Sequence, residues 1–148
     1  MQAKIVAFEE KYHDKLVDIW HRAVRVTHTF LEEEDIQYFH HMVQNGALKE
    51  VELWVEINAD QEPIGFIGLD GTKIEMLFVD PKYRGQGIGS HLVKHAGEIK
   101  GNKLQVDVNE QNEQAYAFYK RYNCELIGCS ELDGSGKPFP LLHLELML

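Results

Sequence analysis

The residues with the clearest capacity for chemistry lie between Ile74 and Ser90. An apolar run, Ile74 to Val79, stops at Asp80-Pro81 and is followed by Arg84-Gly85-Gln86-Gly87-Ile88-Gly89 and a helical pattern. Glycines let a backbone turn tightly and let a ligand approach the main chain closely. A helix start offers unpaired N–H groups and a partial positive charge, so the junction suits an anion such as a pyrophosphate. A nucleotide P-loop is excluded, because Gly89-Ser90 is followed by His91 and no lysine stands in place. A dinucleotide fingerprint also fails: the spacing is G-x-G-x-G and it follows a fourth strand, not a first. Two readings remain. One is the R/Q-x-x-G-x-G/A element that holds the pyrophosphate of coenzyme A, which Arg84 to Gly89 fit at every position. The other is a loop whose glycines serve only to turn the chain.

The elements that must position this junction can be read from periodicity. Lys4 to Phe8 predicts a first strand, and Tyr12 to about His28 a helix with Leu16, Ile19, Trp20, Ala23 and Thr27 on one face. The acidic run Glu32 to Asp35 suits the first turn of a second helix, which carries Ile36, Phe39, Met42 and Val43 and stops near Gly46. Glu50 to Ile57, Ile64 to Leu69 and Ile74 to Val79 predict three strands, the last two joined by an Asp70-Gly71 hairpin. A helix with Ile88, Leu92, Val93, Ala96 and Ile99 buried follows. Then come a strand over Lys103 to Val108, a helix over Asn112 to Tyr122 and two strands, Glu125 to Leu132 and Leu141 to Leu148, around a Gly134/Gly136/Pro138/Pro140 loop. The order β-α-α-β-β-β-α-β-α-β-β implies an α/β fold with a sheet of mixed direction.

The 148 residues, 44% hydrophobic and 26% charged, correspond to one soluble domain able to bury its own core. A net charge of −9 disfavours nucleic acid and anionic membrane surfaces as partners. No stretch reaches the ~20 apolar residues of a membrane span, and the segment from Met1 to Glu10 lacks the apolar core of a signal peptide. Two cysteines, Cys124 and Cys129, do not make a disulfide framework. They are expected as buried strand residues of a cytoplasmic protein. His91 with His95 and His40 with His41 lack a placed third ligand and are expected on solvated faces, so no metal is expected.

Taken together, Leu77-Phe78-Val79-Asp80-Pro81-Lys82-Tyr83-Arg84-Gly85-Gln86-Gly87-Ile88-Gly89 resembles the hallmark of the GNAT (GCN5-related N-acetyltransferase) family. Asn112-Glu113-Gln114-Ala115-Tyr116-Ala117-Phe118-Tyr119 resembles that family's N-x-x-A-x-x-F-Y segment. Trp20, Thr27 to Leu31, Val108 to Asn112 and Gly136 to Leu142 are most similar to bacterial members of the YjaB type. The resemblance implies a single-domain GNAT fold over 1–148, with a mixed sheet of about seven strands and flanking helices. It implies acetyl transfer from acetyl-CoA to a primary amine by direct attack. The family alternative is a non-catalytic acyl-CoA-binding or sensor module.

The resemblance also implies roles. The pantetheine would lie along the backbone of Leu77, Phe78 and Val79, which family members splay from the next strand. The pyrophosphate would sit on the N–H groups of Gly85, Gln86, Gly87, Ile88, Gly89 and Ser90 beside Arg84, with Asn112 at the pantetheine arm. Tyr119 stands where many members carry the acid that protonates the departing thiolate. An amine of pKa ~10.4 needs a base or water relay at neutral pH. Strand alternation puts Lys73, Glu75, Leu77 and Val79 on one face, which makes Glu75 the candidate base. Members that use a glutamate there often carry it two residues earlier, at Lys73 here, and pairing of Glu75 with Lys73 is the competing expectation. Trp20, His28, Phe30, Lys73 and Asn109 are candidate acceptor contacts. Core packing competes for Trp20, and capping of the helix end as a cation competes for His28. Residues 80–100 carry four lysines and arginines against two acids, a local balance of +2 on a chain of −9. A positive cofactor mouth on a negative body predicts a cationic acceptor. The oligomeric state is left open, with a homodimer as one option.

Overall fold

The computed structural model describes residues 4–133 and 136–148; Gly134 of the expected final loop and the first residues of the N-terminal stretch, from Met1, lie outside them. The elements are β1 (Lys4–Ala7), α1 (His13–Thr27), α2 (Glu33–Gln44), β2 (Glu52–Ile57), β3 (Pro63–Asp70), β4 (Lys73–Val79), α3 (Ile88–Lys100), β5 (Lys103–Asn109), α4 (Glu113–Tyr119), β6 (Asn123–Ser130) and β7 (Leu141–Met147). They form one seven-stranded sheet of order β1-β2-β3-β4-β5-β7-β6, antiparallel except for the β4–β5 pair. This is the expected element order and the expected mixed sheet. No helix among the described residues is long and apolar enough to cross a membrane.

Each face of the sheet buries its own core. On one face α1 and α2 pack Leu16, Ile19, Trp20, Val24, Ile36 and Val43 against Leu53, Val55, Ile57 and Phe66. On the other, α3 packs Ile88, Leu92, Val93 and Ala96, joined by Tyr119, against Ile67, Ile74, Leu104, Val106, Leu144 and Leu146. The acidic start of α2 is as expected: Glu33, Glu34 and Asp35 stand in its first turn, and the Glu32 N–H donates to Asp35 Oδ2 at 3.2 Å. The α4 helix is shorter than predicted. Asn112 caps it, its Oδ1 accepting from the Ala115 N–H at 3.1 Å.

Several packing expectations are corrected. Ile99 is exposed, because the end of α3 turns its Gly97 flank to the sheet side, where Leu148 packs. Met42 is exposed and borders a cavity instead of filling the core. Cys124 is half-buried and Cys129 exposed, because β6 is the sheet's edge strand. The α3 histidines face the sheet, not solvent alone: His91 Nδ1 lies 2.9 Å from the buried Glu56 carboxylate, and His95 meets the Trp54 ring edge-on at 4.7 Å. His40 stacks on His21 at 4.2 Å between α1 and α2.

The feature that shapes the site is in β4. It pairs with β5 only at Lys73↔Gln105 and Ile74↔Val106, so the two strands part beyond that point. Against β3, Gly68 opposes Met76 and Leu69 opposes Ile74, which leaves Glu75 as an extra residue, a β-bulge. The bulge shifts the alternation by one. Leu77 and Val79 join Ile74 in the α3 core, while Met76 and Phe78 join the α1–α2 core. The expected common face of Lys73, Glu75, Leu77 and Val79 is therefore broken at Glu75.

Candidate active site

The junction after β4 is built by local chemistry. Asp80 ends the strand with its Oδ1 accepting the Lys82 N–H at 3.0 Å, which folds Pro81–Tyr83 into a single tight turn. Arg22 of α1 grips the same carboxylate with two bonds of 2.6 and 2.9 Å. Burial alone would raise the Asp80 pKa, but the Arg22 guanidinium and the Lys82 N–H hold it below the usual range. Gly85 and Gly87 then adopt φ of 79° and 80°, left-handed values that a side chain resists. Gly87 is the N-cap of α3, so the N–H groups of the helix's first turn open onto the loop. Gln86 is exposed beside them.

Ile88 contributes only its backbone here, since its side chain is buried in the core. Arg84 Nη2 donates to Gln114 Oε1 at 2.7 Å and ties the loop to α4. Arg121 Nη2 reaches Ser90 Oγ at 3.4 Å, a cation at the helix start that only the tertiary fold brings there. Pairing of Asp80 with Arg22 leaves Lys82 and Arg84 exposed at this mouth.

The loop leads into a cavity walled by Leu77, Phe78, Val79, Arg84, Gly89, Asn112 and Tyr119. Tyr119 also borders the cleft where β4 and β5 part. It is buried, and desolvation raises its pKa, so the phenol holds its proton. The fit to a CoA-type ligand rests on three features: a strand edge without partner over Leu77 to Val79, a left-handed glycine turn, and a helix start flanked by cations.

His28 sits where the cofactor cavity, the β4–β5 cleft and a third cavity meet. Its tautomer follows from its neighbours. The Thr27 hydroxyl spends its one proton on Ala23 O at 2.9 Å, so its 2.8 Å contact with His28 Nδ1 requires an Nδ1–H donor. Nε2 is then the lone-pair side, 3.4 Å from Asn112 Nδ2. Burial pushes the His28 pKa down to about 4. The backbone of His28 does cap α1, donating to Val24 O at 2.8 Å. Capping as a cation is corrected, because desolvation keeps the ring neutral.

The third cavity is apolar with an acidic wall. Trp20, Phe30, Phe39, Met76, Phe78 and Phe139 line it, together with Glu75, Asp107 and Asn109. Trp20 is nearly buried and belongs to the core as well as to this wall. Asn109 Oδ1 accepts the Gln111 N–H at 2.9 Å, which shapes the turn into α4. Lys73 bridges the carboxylates, with Nζ 2.8 Å from Asp107 Oδ2 and 3.5 Å from Glu75 Oε1, so the expected Lys73–Glu75 pairing is present. Asp107 also accepts from His143 Nδ1 at 2.5 Å, and His143 Nε2 contacts Ser130 Oγ at 2.7 Å. Desolvation alone would raise the Asp107 pKa; His143 and Lys73 hold it below its ordinary value.

Sequence reasoning missed Asp107, His143 and Arg121. Alternation on β5 puts Asp107 on the face of Asn109. The pairing Asp107↔His143, however, depends on the register between β5 and β7, two strands far apart in sequence. Among the described residues no group of three His, Cys, Asp or Glu could hold a metal ion.

The sequence profile of the acetyltransferase (GNAT) family matches residues 13–123. The chain is 44% identical over 131 residues to the peptidyl-lysine N-acetyltransferases YjaB of Salmonella typhimurium and Escherichia coli, covering 88% of this chain and 89% and 88% of those proteins. The solution structure of apo YjaB from Escherichia coli superposes with a TM-score of 0.91 at 41% identity, over 99% of this chain and 98% of that one. The PaiA N-acetyltransferase of Thermoplasma acidophilum, solved with coenzyme A, shares the fold with a TM-score of 0.75 at 20% identity, over the whole of both chains. The loop, the parted strands and these likenesses agree: the chain belongs to the acetyltransferase (GNAT) family and is an N-acetyltransferase.

Proposed function

We propose that this chain transfers the acetyl group of acetyl-CoA to a cationic primary amine, of the kind a peptide lysine carries, by direct attack in a ternary complex. The observation that carries the proposal is the convergence at His28 of a cavity bordered by the free β4 edge and a second cavity walled by Glu75 and Asp107. The name of the YjaB relatives supports a lysine side chain as acceptor. Leu77 to Val79 hydrogen-bond the pantetheine as an added strand would. The N–H groups from Gly85 to Ser90, with Arg84, hold the pyrophosphate, and Asn112 steadies the pantetheine arm. Glu75 takes one proton from the acceptor's ammonium. The amine nitrogen bonds to the acetyl carbon, the C–S bond breaks, and Tyr119 protonates the sulfur and is reprotonated by the nitrogen's surplus proton. Trp20, Phe30 and Phe78 enclose the aliphatic stem. The neutral imidazole of His28 and the amide of Asn109 complete the polar lining without adding a cation.

An acceptor panel that reads free CoA release, with hydrolysis subtracted, tests this. Lysine peptides with basic flanks are expected to give the highest kcat/KM. An equal or higher kcat/KM for acceptors of net negative charge overturns the cation preference. Tight acetyl-CoA binding with no release above hydrolysis for any amine overturns the reaction itself and leaves the binding-module alternative.

A further inference from the structure

Five polar residues form a continuous chain across four strands: Ser130 on β6, His143 on β7, Asp107 on β5, and Lys73 and Glu75 on β4. Its links measure 2.7 Å, 2.5 Å, 2.8 Å and 3.5 Å in that order. An ionised carboxylate only accepts, so His143 Nδ1 donates to Asp107 Oδ1 while Asp107 Oδ2 takes the Lys73 ammonium. Both oxygens of Asp107 are thereby engaged, and its orientation is set from β7. Lys73 is shared unequally: it is in tight contact with Asp107 and in loose contact with Glu75.

The inequality matters because a lysine ammonium is a point charge on a flexible stem. With Asp107 turned away, Lys73 would close on Glu75. That closure would occupy the carboxylate and place a cation where the acceptor's ammonium must arrive.

We propose that His143 is a positioning residue for acetyl transfer: by holding Asp107 it keeps Lys73 from closing beyond its loose 3.5 Å contact with Glu75 and leaves Glu75 able to take the acceptor's proton. This rests on the reading of Glu75 as proton acceptor. His143 and Asp107 exchange no proton in it; the proton from the ammonium goes to Glu75 and then to solvent.

The test compares the full chain with His143→Leu, His143→Gln, Lys73→Met, Glu75→Gln and the Lys73→Met/His143→Leu double variant. The readouts are kcat and KM with a lysine peptide and the Kd of acetyl-CoA. Leucine suits a strand flanked by Leu142 and Leu144, so His143→Leu is expected to fold and to keep the Kd. Its kcat is expected to fall about ten-fold, while His143→Gln, which retains an N–H donor, stays within about three-fold of wild type. The double variant is expected to regain the kcat of Lys73→Met, because there is no longer a lysine to close on Glu75. A merely structural role would not be rescued by deleting a second side chain. A double variant no faster than His143→Leu, or a His143→Leu enzyme with wild-type kcat, overturns the proposal. Wild-type kcat in Glu75→Gln overturns the underlying assignment of the base instead, and so separates the two failures.

Discussion

The two halves of the proposed site, one for the cofactor and one for the acceptor, are made in different ways. The cofactor half is built around one short stretch of chain. The end of β4, the glycine turn and the start of α3 follow one another within residues 77–90; the end of α1 adds Thr27 and His28, and the α4 region adds Asn112, Tyr119 and Arg121. The acceptor half has no such continuity. Trp20 and His28 come from α1 and its cap, Glu75 from a bulge, Asp107 from β5, and His143 behind it from β7. A ligand used in common with many enzymes can be held by backbone groups, which any suitable local sequence supplies. Selecting an acceptor takes side chains gathered from several strands, and their placement depends on register.

The largest expected effect falls on the chemistry that joins the halves. Tyr119→Phe removes the proposed proton donor and little else, so kcat is expected to drop about a hundred-fold or more while acetyl-CoA affinity, read by calorimetry, stays nearly constant. Equal turnover would remove Tyr119 from the reaction. Next comes the tie between the halves, the Arg22–Asp80 pair, which links the roof of the acceptor cavity to the loop after β4. Asp80→Ala is expected to cost about 2–3 kcal/mol in urea unfolding, short of the ~3–5 of a fully buried pair because Arg22 keeps 35% of its side-chain surface exposed. A loss below ~0.5 kcal/mol would show that the halves stand independently.

A smaller effect should stay within the cofactor half. Gly87→Ala forces a side chain into a left-handed residue at the start of α3, a strain of ~1–2 kcal/mol. Acetyl-CoA is expected to bind roughly ten-fold more weakly, with kcat at saturation nearly unchanged. A matching loss of kcat would mean that the loop also serves the reaction.

The effect that develops only below neutral pH belongs to His28. In the unfolded chain its imidazole takes a proton near its ordinary pKa of 6.5, and in the folded protein only near about 4. Between those values the unfolded state binds more protons, so stability falls as pH falls, by at most ~1.4 kcal/mol per pH unit from this group. His28→Gln should flatten the pH dependence of urea unfolding by that amount; an unchanged slope would mean that the ring already charges in the folded state.

The legible part of the molecule follows the same division. Among the described residues the seven strands and four α-helices are legible in order, because a periodic apolar pattern needs only near neighbours. Boundaries drifted where caps decided them, as at the end of α4. Ile99 and Met42 depart from the helical pattern, because periodicity marks an apolar face without saying what covers it. Glu75 does not share the face of Leu77 that alternation predicts, since a bulge arises from pairing with Gly68 and Leu69 and leaves no mark in the spacing of β4 itself.

By itself, then, the amino-acid sequence determined the order of elements, the family and the glycine turn. Those depend on backbone preferences and on side chains a few positions apart. Only the tertiary structure decided that β4 leaves β5 after two pairs, that His28 is neutral with its Nε2 lone pair toward Asn112, and that Lys73 lies between Asp107 and Glu75 with His143 behind. Each of these depends on strand register, desolvation or competition for one proton, quantities that exist only once distant segments are packed together.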